Sequence, residues 1–238
     1  MIHLFLLVLI AHVLGDFVFQ TNHIYRLKTA HISGVILHSA IFYLLALVLT
    51  FPVSYYNIGF SIWLFLVFVS HIFVDKIKMM FGKTIIRREF INFIIDQFIH
   101  VAIIASVFFI PIQIQQHIGI INMLKLSNIS IYNINLGMFL ASMMVFVTYA
   151  VSVLLYYYDS SIRMEQRPLQ YNYNRMLYRG VLFFLLVGKY YPVGIVLIIA
   201  NFIYSKKVLE YDMRRFIIEK SYLILLVIIY LIIKGVLI

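Results

Sequence analysis

Apolar runs about twenty residues long follow one another along most of the chain, with short polar stretches between them. They cover residues 2–20, 32–51, 58–77, 90–112, 136–158 and 216–233, with a split region at 177–204. A helix needs about 20 predominantly apolar residues to cross about 30 Å of hydrocarbon. No run shows the ten-residue alternation of a membrane barrel strand. The pattern therefore predicts an all-α, polytopic helical membrane protein with about six full spans plus a broken helical hairpin. The break is expected at Gly188-Lys-Tyr-Tyr-Pro192-Val-Gly194, where two glycines, a proline and a lysine interrupt the apolar pattern. Each half of the hairpin then has about 12 residues, too short to span, and reads as re-entrant or shielded by its neighbours.

Composition agrees with this reading. Of 238 residues, 64% are hydrophobic and 12% charged, against about 25% charged in ordinary soluble domains. The first run has no Lys or Arg before it and no small-residue cleavage site after it, so it reads as a retained span. The net charge of +10 does not form a basic stripe with interleaved aromatics, which argues against nucleic acid. The charges fall instead in alternate loops. Arg26 and Lys28 follow the first run. Lys76, Lys78, Lys83, Arg87 and Arg88 follow the third, and Arg163, Arg167, Arg175 and Arg179 the fifth. The opposite loops hold only Lys125. If the split region returns to the side it came from, Lys206, Lys207, Arg214 and Arg215 join the basic side. By the positive-inside rule the amino terminus then lies outside and the basic loops face the cytoplasm. Tyr149, Tyr156, Tyr157, Tyr158, Tyr190 and Tyr191 read as part of an interfacial belt.

The informative residues are the ones that break the apolar pattern. In the first run His12, Asp16 and Gln20 are four apart, one above another on a helical face. His71 and Asp75 repeat the spacing in the third run, and Asp96 and His100 in the fourth. A charged Asp at the centre of a membrane helix costs about 2.5–3.5 kcal/mol on insertion scales. Three such groups, each with a His four residues away, demand compensation. With alternating helix directions they all fall within about 15 Å of the cytoplasmic boundary, as does His38 in the second run. A His and Asp cluster drawn from four helices suits a divalent metal such as Zn, Fe or Mn. The candidate ligands are His12, Asp16, His38, His71, Asp75, Asp96 and His100. These seven exceed one tetrahedral shell, so some belong to a second metal, orient the ligands, or act as general base, for which Asp16 and Asp96 are the candidates. Gln20, Lys28, Asn92 and Gln97 are expected to orient ligands or contact substrate. Lys78 suits an anion or the interface. His31 reads as a rim group, and His3, His23 and His117 as incidental. The competing reading is hydrogen-bonded contact between helices, such as Asp75 with Lys78. No cysteine is present, which excludes thiolate metal sites, iron–sulfur clusters and disulfides.

The ordered set His12-x3-Asp16-x3-Gln20, Lys28, His38, His71-x3-Asp75-x2-Lys78 and Asp96-Gln97-x2-His100 resembles the bacterial inner-membrane family called domain of unknown function 3307. The resemblance covers roughly the first 110 residues. Gly188-Lys-Tyr190 also resembles the family's carboxy-terminal region, although Tyr178 and Asn201 stand where Glu and Lys are expected. It implies a bacterial plasma-membrane location and a shared site, and it carries no activity to transfer.

The expected organisation is a four-helix His/Asp-rich domain at 1–112 and a supporting helical region at 113–238. Three functions compete. The first is a metal-dependent hydrolase working from the cytoplasmic leaflet on an ester, amide or phosphoester, with a lipid-linked or cytosolic small-molecule substrate. The second is a divalent-cation or proton-coupled transporter, which broken helices often serve. The third is a structural membrane module, which leaves the buried charges unexplained. No G-x-S-x-G, H-E-x-x-H or P-loop pattern occurs.

Overall fold

The computed structural model describes residues 1–51, 53–85, 89–111, 131–163, 172–208 and 213–237. Among these residues there is no strand. Eleven α-helices, three of them prolonged by a short π or 3-10 turn, make up the described part. Helix α1 (Ile2–Val13) widens into a π turn at Leu14–Val18. Helices α2 (Asn22–Ala30), α3 (Ile32–Thr50), α4 (Val53–Tyr56) and α5 (Ile58–Ile85) follow. Helix α6 (Glu89–Ala105) ends in a 3-10 turn at Ser106–Phe109. Helices α7 (Ile131–Val145) and α8 (Val151–Arg163) are joined by a second π turn, Phe146–Ala150. The chain closes with α9 (Tyr173–Val187), α10 (Tyr191–Val208) and α11 (Met213–Leu237).

Five helical segments are long and apolar enough to cross a membrane, and a sixth is obtained if α1 and α2 count as one bent span. The chain is a multi-pass membrane protein. Its outer surface agrees: Val48 on α3 and Phe98 on α6 are each 74% exposed. Apolar side chains so exposed need hydrocarbon around them.

Helix α1 is apolar on all sides, as a helix surrounded by protein should be. One face packs on α3, α5 and α6 through Leu4, Val8, Phe42, Phe60, Leu64 and Ile104. The other packs on the second half, where Leu9, Val13 and Phe17 meet Ala150, Val153 and Leu154. The two π turns face one another, with Phe17 and Phe146 ring centroids 6.0 Å apart. The predicted division at 112/113 is thus bridged by shared core. A bolt holds the far end of the first half, where Trp63 Nε1 donates to Ser106 Oγ at 2.9 Å.

Two features differ from the sequence expectation. First, the line His12, Asp16, Gln20 does not stay on one helix. The π turn adds a residue to the turn carrying Asp16, and the axis bends by 91° before α2. Thr21 caps α2 by accepting from Ile24 N at 3.3 Å, so Gln20 sits in the corner. Second, the predicted hairpin exists, but its arms have 15 and 18 residues instead of about 12. Its turn is Gly188-Lys189-Tyr190, with Lys189 in the left-handed region at φ 65°. Tyr178 Oη donates to Leu197 O at 2.9 Å and ties the arms together. Arg175 and Arg179, read as loop charges, lie within α9. Lys125, His117, Arg87, Arg88 and Arg167 lie outside the described residues.

Candidate metal centre

Four helices converge beneath α2. The π turn after α1 brings Asp16, α3 brings His38, α5 brings His71 and Asp75, and α6 brings Asp96 and His100. Close approach of α1 and α3 depends on Gly15, where a Cβ would lie 3.2 Å from the Phe42 Cβ. That contact puts Asp16 one turn from His38. All seven predicted ligands are buried, none more than 7% exposed.

Asp16 Oδ1 is the hub. His38 Nε2 lies 3.2 Å from it, His71 Nε2 3.3 Å and His12 Nδ1 3.6 Å. In a tetrahedral site with metal–ligand bonds of about 2.0–2.1 Å, ligand atoms stand about 3.3–3.4 Å apart. The three edges that meet at Asp16 Oδ1 are therefore close to that length, and of these four residues His12, Asp16 and His71 make up a mutually close group. Ligand atoms of His12, Asp16 and His71 lie within 4.8 Å of one another, as do those of His38, His71 and Asp75 and those of Asp75, Asp96 and His100. His71 belongs to two of these groups through its two nitrogens, since Nδ1 faces Asp75 Oδ2 at 3.4 Å. Ser39 Oγ is 3.5 Å from the same Nδ1. Sequence reading missed Ser39, although it is next to His38 on α3.

Hydrogen bonding bears on the choice between an ion site and plain helix contact. Neither ring nitrogen of His12 or His38 makes an aligned hydrogen bond, and His100 Nε2 makes none. A buried polar atom left so costs about 1–3 kcal/mol. His100 Nδ1 donates to its own helix at Asp96 O, 2.8 Å away, which leaves Nε2 as a lone-pair donor. Ligating histidines are held in this way. The residues fit a divalent ion.

The charged neighbours arrange themselves differently from expectation. Asp75 does not pair with Lys78 on its own helix. Lys28 reaches down from α2 and places Nζ 2.7 Å from Asp75 Oδ2 and 3.4 Å from Gln20 Oε1. Lys78 turns to α6, with Nζ 2.7 Å from Asp96 Oδ2. Both choices are governed by bundle geometry, since the carboxylates point inward and cross-helix cations lie nearer. Gln97 Nε2 donates to Asp16 Oδ2 and to Asp96 Oδ2, 3.2 Å each, and links the two carboxylates. Gln20 joins the cluster through Lys28. Asn92, half-buried one turn before Asp96, is not among the residues these contacts join. His31 and His23 are exposed.

A second charged cluster lies in the other half. Arg179, 2% exposed, donates to Thr148 O at 2.7 Å and to Ser152 Oγ, at the π turn. Its Nη1 is 3.8 Å from Glu219 Oε1, and Lys220 Nζ is 3.3 Å from the same oxygen. Lys220 also sits over the Tyr178 ring, 4.6 Å from its centroid. The signal was available in an acid next to a lysine inside an apolar run at 219–220.

The comparisons with known proteins give one match. A family model described as protein of unknown function (DUF3307) matches residues 4–127, just over half of the chain and every member of the His and Asp cluster. No curated protein and no solved structure matches.

Proposed function

This chain belongs to the family of unknown function DUF3307, and we propose that it is a membrane-embedded, metal-dependent hydrolase. In this reading His12, Asp16, His38 and His71 hold a divalent ion such as Zn, Fe or Mn. The carrying observation is the hub at Asp16 Oδ1, with three imidazole nitrogens 3.2–3.6 Å away and orphaned nitrogens on His12 and His38. A bound ion supplies a water molecule acidified for attack on an ester or phosphoester.

The chain's own groups take the remaining roles. Asp75 Oδ2, 3.4 Å from His71 Nδ1, favours the tautomer with the proton on Nδ1, so that Nε2 faces the ion. Gln97 holds Asp16 and Asp96 in register. Asp96 Oδ1, which makes no aligned hydrogen bond, is the oxygen placed to receive a proton as general base. With Asp75 and His100 it also forms a second possible ligand group. Asp16, the other candidate base, is better used as ligand, because its Oδ1 is already surrounded by imidazoles.

Cation transport would need a polar path to both sides. Beyond His12 and His71 the interior is Leu4, Val8, Phe60, Leu64, Ile104 and Val107, all buried, which favours access from one side only. Elemental analysis of the purified full chain, with the double variant Asp16→Asn, Asp96→Asn beside it, tests the proposal. Stoichiometric transition metal that disappears in the variant supports it. A metal-free protein that conducts cations or protons in liposomes would favour transport and sink the hydrolase.

A further inference from the structure

The two lysines of the cluster point to a substrate class, in an inference that rests on the metal reading above. Lys28 is 6% exposed and the Lys78 side chain 18%. Each holds Nζ 2.7 Å from one oxygen of a different cluster carboxylate. They arrive from the α2 end of the bundle, the end opposite the apolar seal of Leu4, Phe60 and Val107. Of the cluster's charged groups Lys78 is the most exposed, its side chain at 18% against 7% or less for the three aspartates.

Charge decides what that visitor is. Three carboxylates (Asp16, Asp75, Asp96) and two ammonium groups sum to one negative charge when the imidazoles are neutral. One divalent ion reverses this to one positive charge, and a second ion raises it further. A neutral ester or amide offers no charge to two ammonium groups that already pair with Asp75 and Asp96, so it gains nothing from them. A phosphoryl group carries the matching charge and several acceptor oxygens. An ammonium carries three donors, so one spent on a carboxylate leaves others for such a ligand.

We infer that the site takes an anionic phosphoryl group, a phosphate monoester or diphosphate, with its oxygens shared between the bound ion and the ammonium groups of Lys28 and Lys78. Hydrolysis there adds one water across the P–O ester bond. The water oxygen bonds to phosphorus, the ester P–O bond breaks, and the departing oxygen takes up a proton. No oxidant or reductant is involved. The ordinary alternative is that the lysines only neutralise buried aspartates.

The test uses the full chain in nanodiscs, loaded with Zn²⁺, and reads both zinc content and inorganic phosphate binding. Phosphate is expected to bind the loaded protein. Lys28→Met and Lys78→Met are each expected to weaken it roughly tenfold, the loss of a charge-assisted contact of about 1.4 kcal/mol, with zinc content unchanged. Lys28→Arg should recover part of the affinity, which neutralisation alone does not require. Phosphate release from phosphatidic acid alone assigns a lipid headgroup, and release from glycerol phosphate as well assigns a free ester. Zinc-loaded wild type that binds phosphate no better than the methionine variants overturns this inference and leaves the metal reading standing. A chain that takes up no metal overturns both.

Discussion

Nδ1 of His71 stands 3.4 Å from Oδ2 of Asp75, one turn on along α5, and the opposite nitrogen of the same ring stands 3.3 Å from Asp16. A carboxylate behind an imidazole fixes both the tautomer and the aim of the ring. Asp75 therefore acts through His71 in our account, and Asp16 directly.

The two aspartates should separate in a metal-binding experiment. Asp75→Asn is expected to lower metal affinity about 10- to 100-fold, the usual effect of losing an orienting partner, whereas Asp16→Asn removes stoichiometric metal. Chelator competition followed by elemental analysis measures both. Equal, slight effects from the two variants would place Asp16 outside the ligand set.

Much of the site was legible because an i, i+4 spacing means the same thing wherever a helix forms. His12 with Asp16, His71 with Asp75, and Asp96 with His100 come from three helices, and the topology alone put them at one depth. The partners of Asp75 and Asp96 were not legible. Lys28 lies 47 positions from Asp75, and their contact depends on the 91° corner between α1 and α2, which no local pattern encodes. Counting loop charges also hid Arg179, because its polar neighbours at 171–175 disguise the start of α9.

Gly34 clamps the roof of the site. A Cβ there would lie 2.1 Å from the Leu27 carbonyl carbon and 2.3 Å from Lys28 N, and backbone cannot yield as a side chain can. Gly34→Ala should displace α2, costing about 1–3 kcal/mol or more. Proteolysis between residues 22 and 30 should quicken and phosphate affinity fall. A variant with wild-type proteolysis and Tm would show that α2 is not clamped there.

Glu219 is the counter-charge for Arg179 and Lys220. Glu219→Gln takes the carboxylate away from beside Arg179 and Lys220, and breaking a buried pair costs about 3–5 kcal/mol. The Tm of the solubilised protein should fall by several degrees, with metal content of the folded fraction unchanged. An unaltered Tm would mean that water or lipid headgroups already satisfy the cations.

Orientation can be read by labelling, since the chain has no native cysteine. Thr29→Cys, exposed on α2, is expected to react with a membrane-impermeant maleimide only from the cytoplasmic side. Tyr55→Cys, 70% exposed in the wild type near the opposite end, should react only from outside. The reverse result would put the site at the outer face.

Anomalous diffraction at the metal edge, from crystals of the metal-loaded full chain, decides whether an ion sits beside Asp16. A peak is expected about 2.0–2.2 Å from a nitrogen of each of His12, His38 and His71 and from Asp16 Oδ1. No peak within that group, or a peak held only by surface residues, would contradict it.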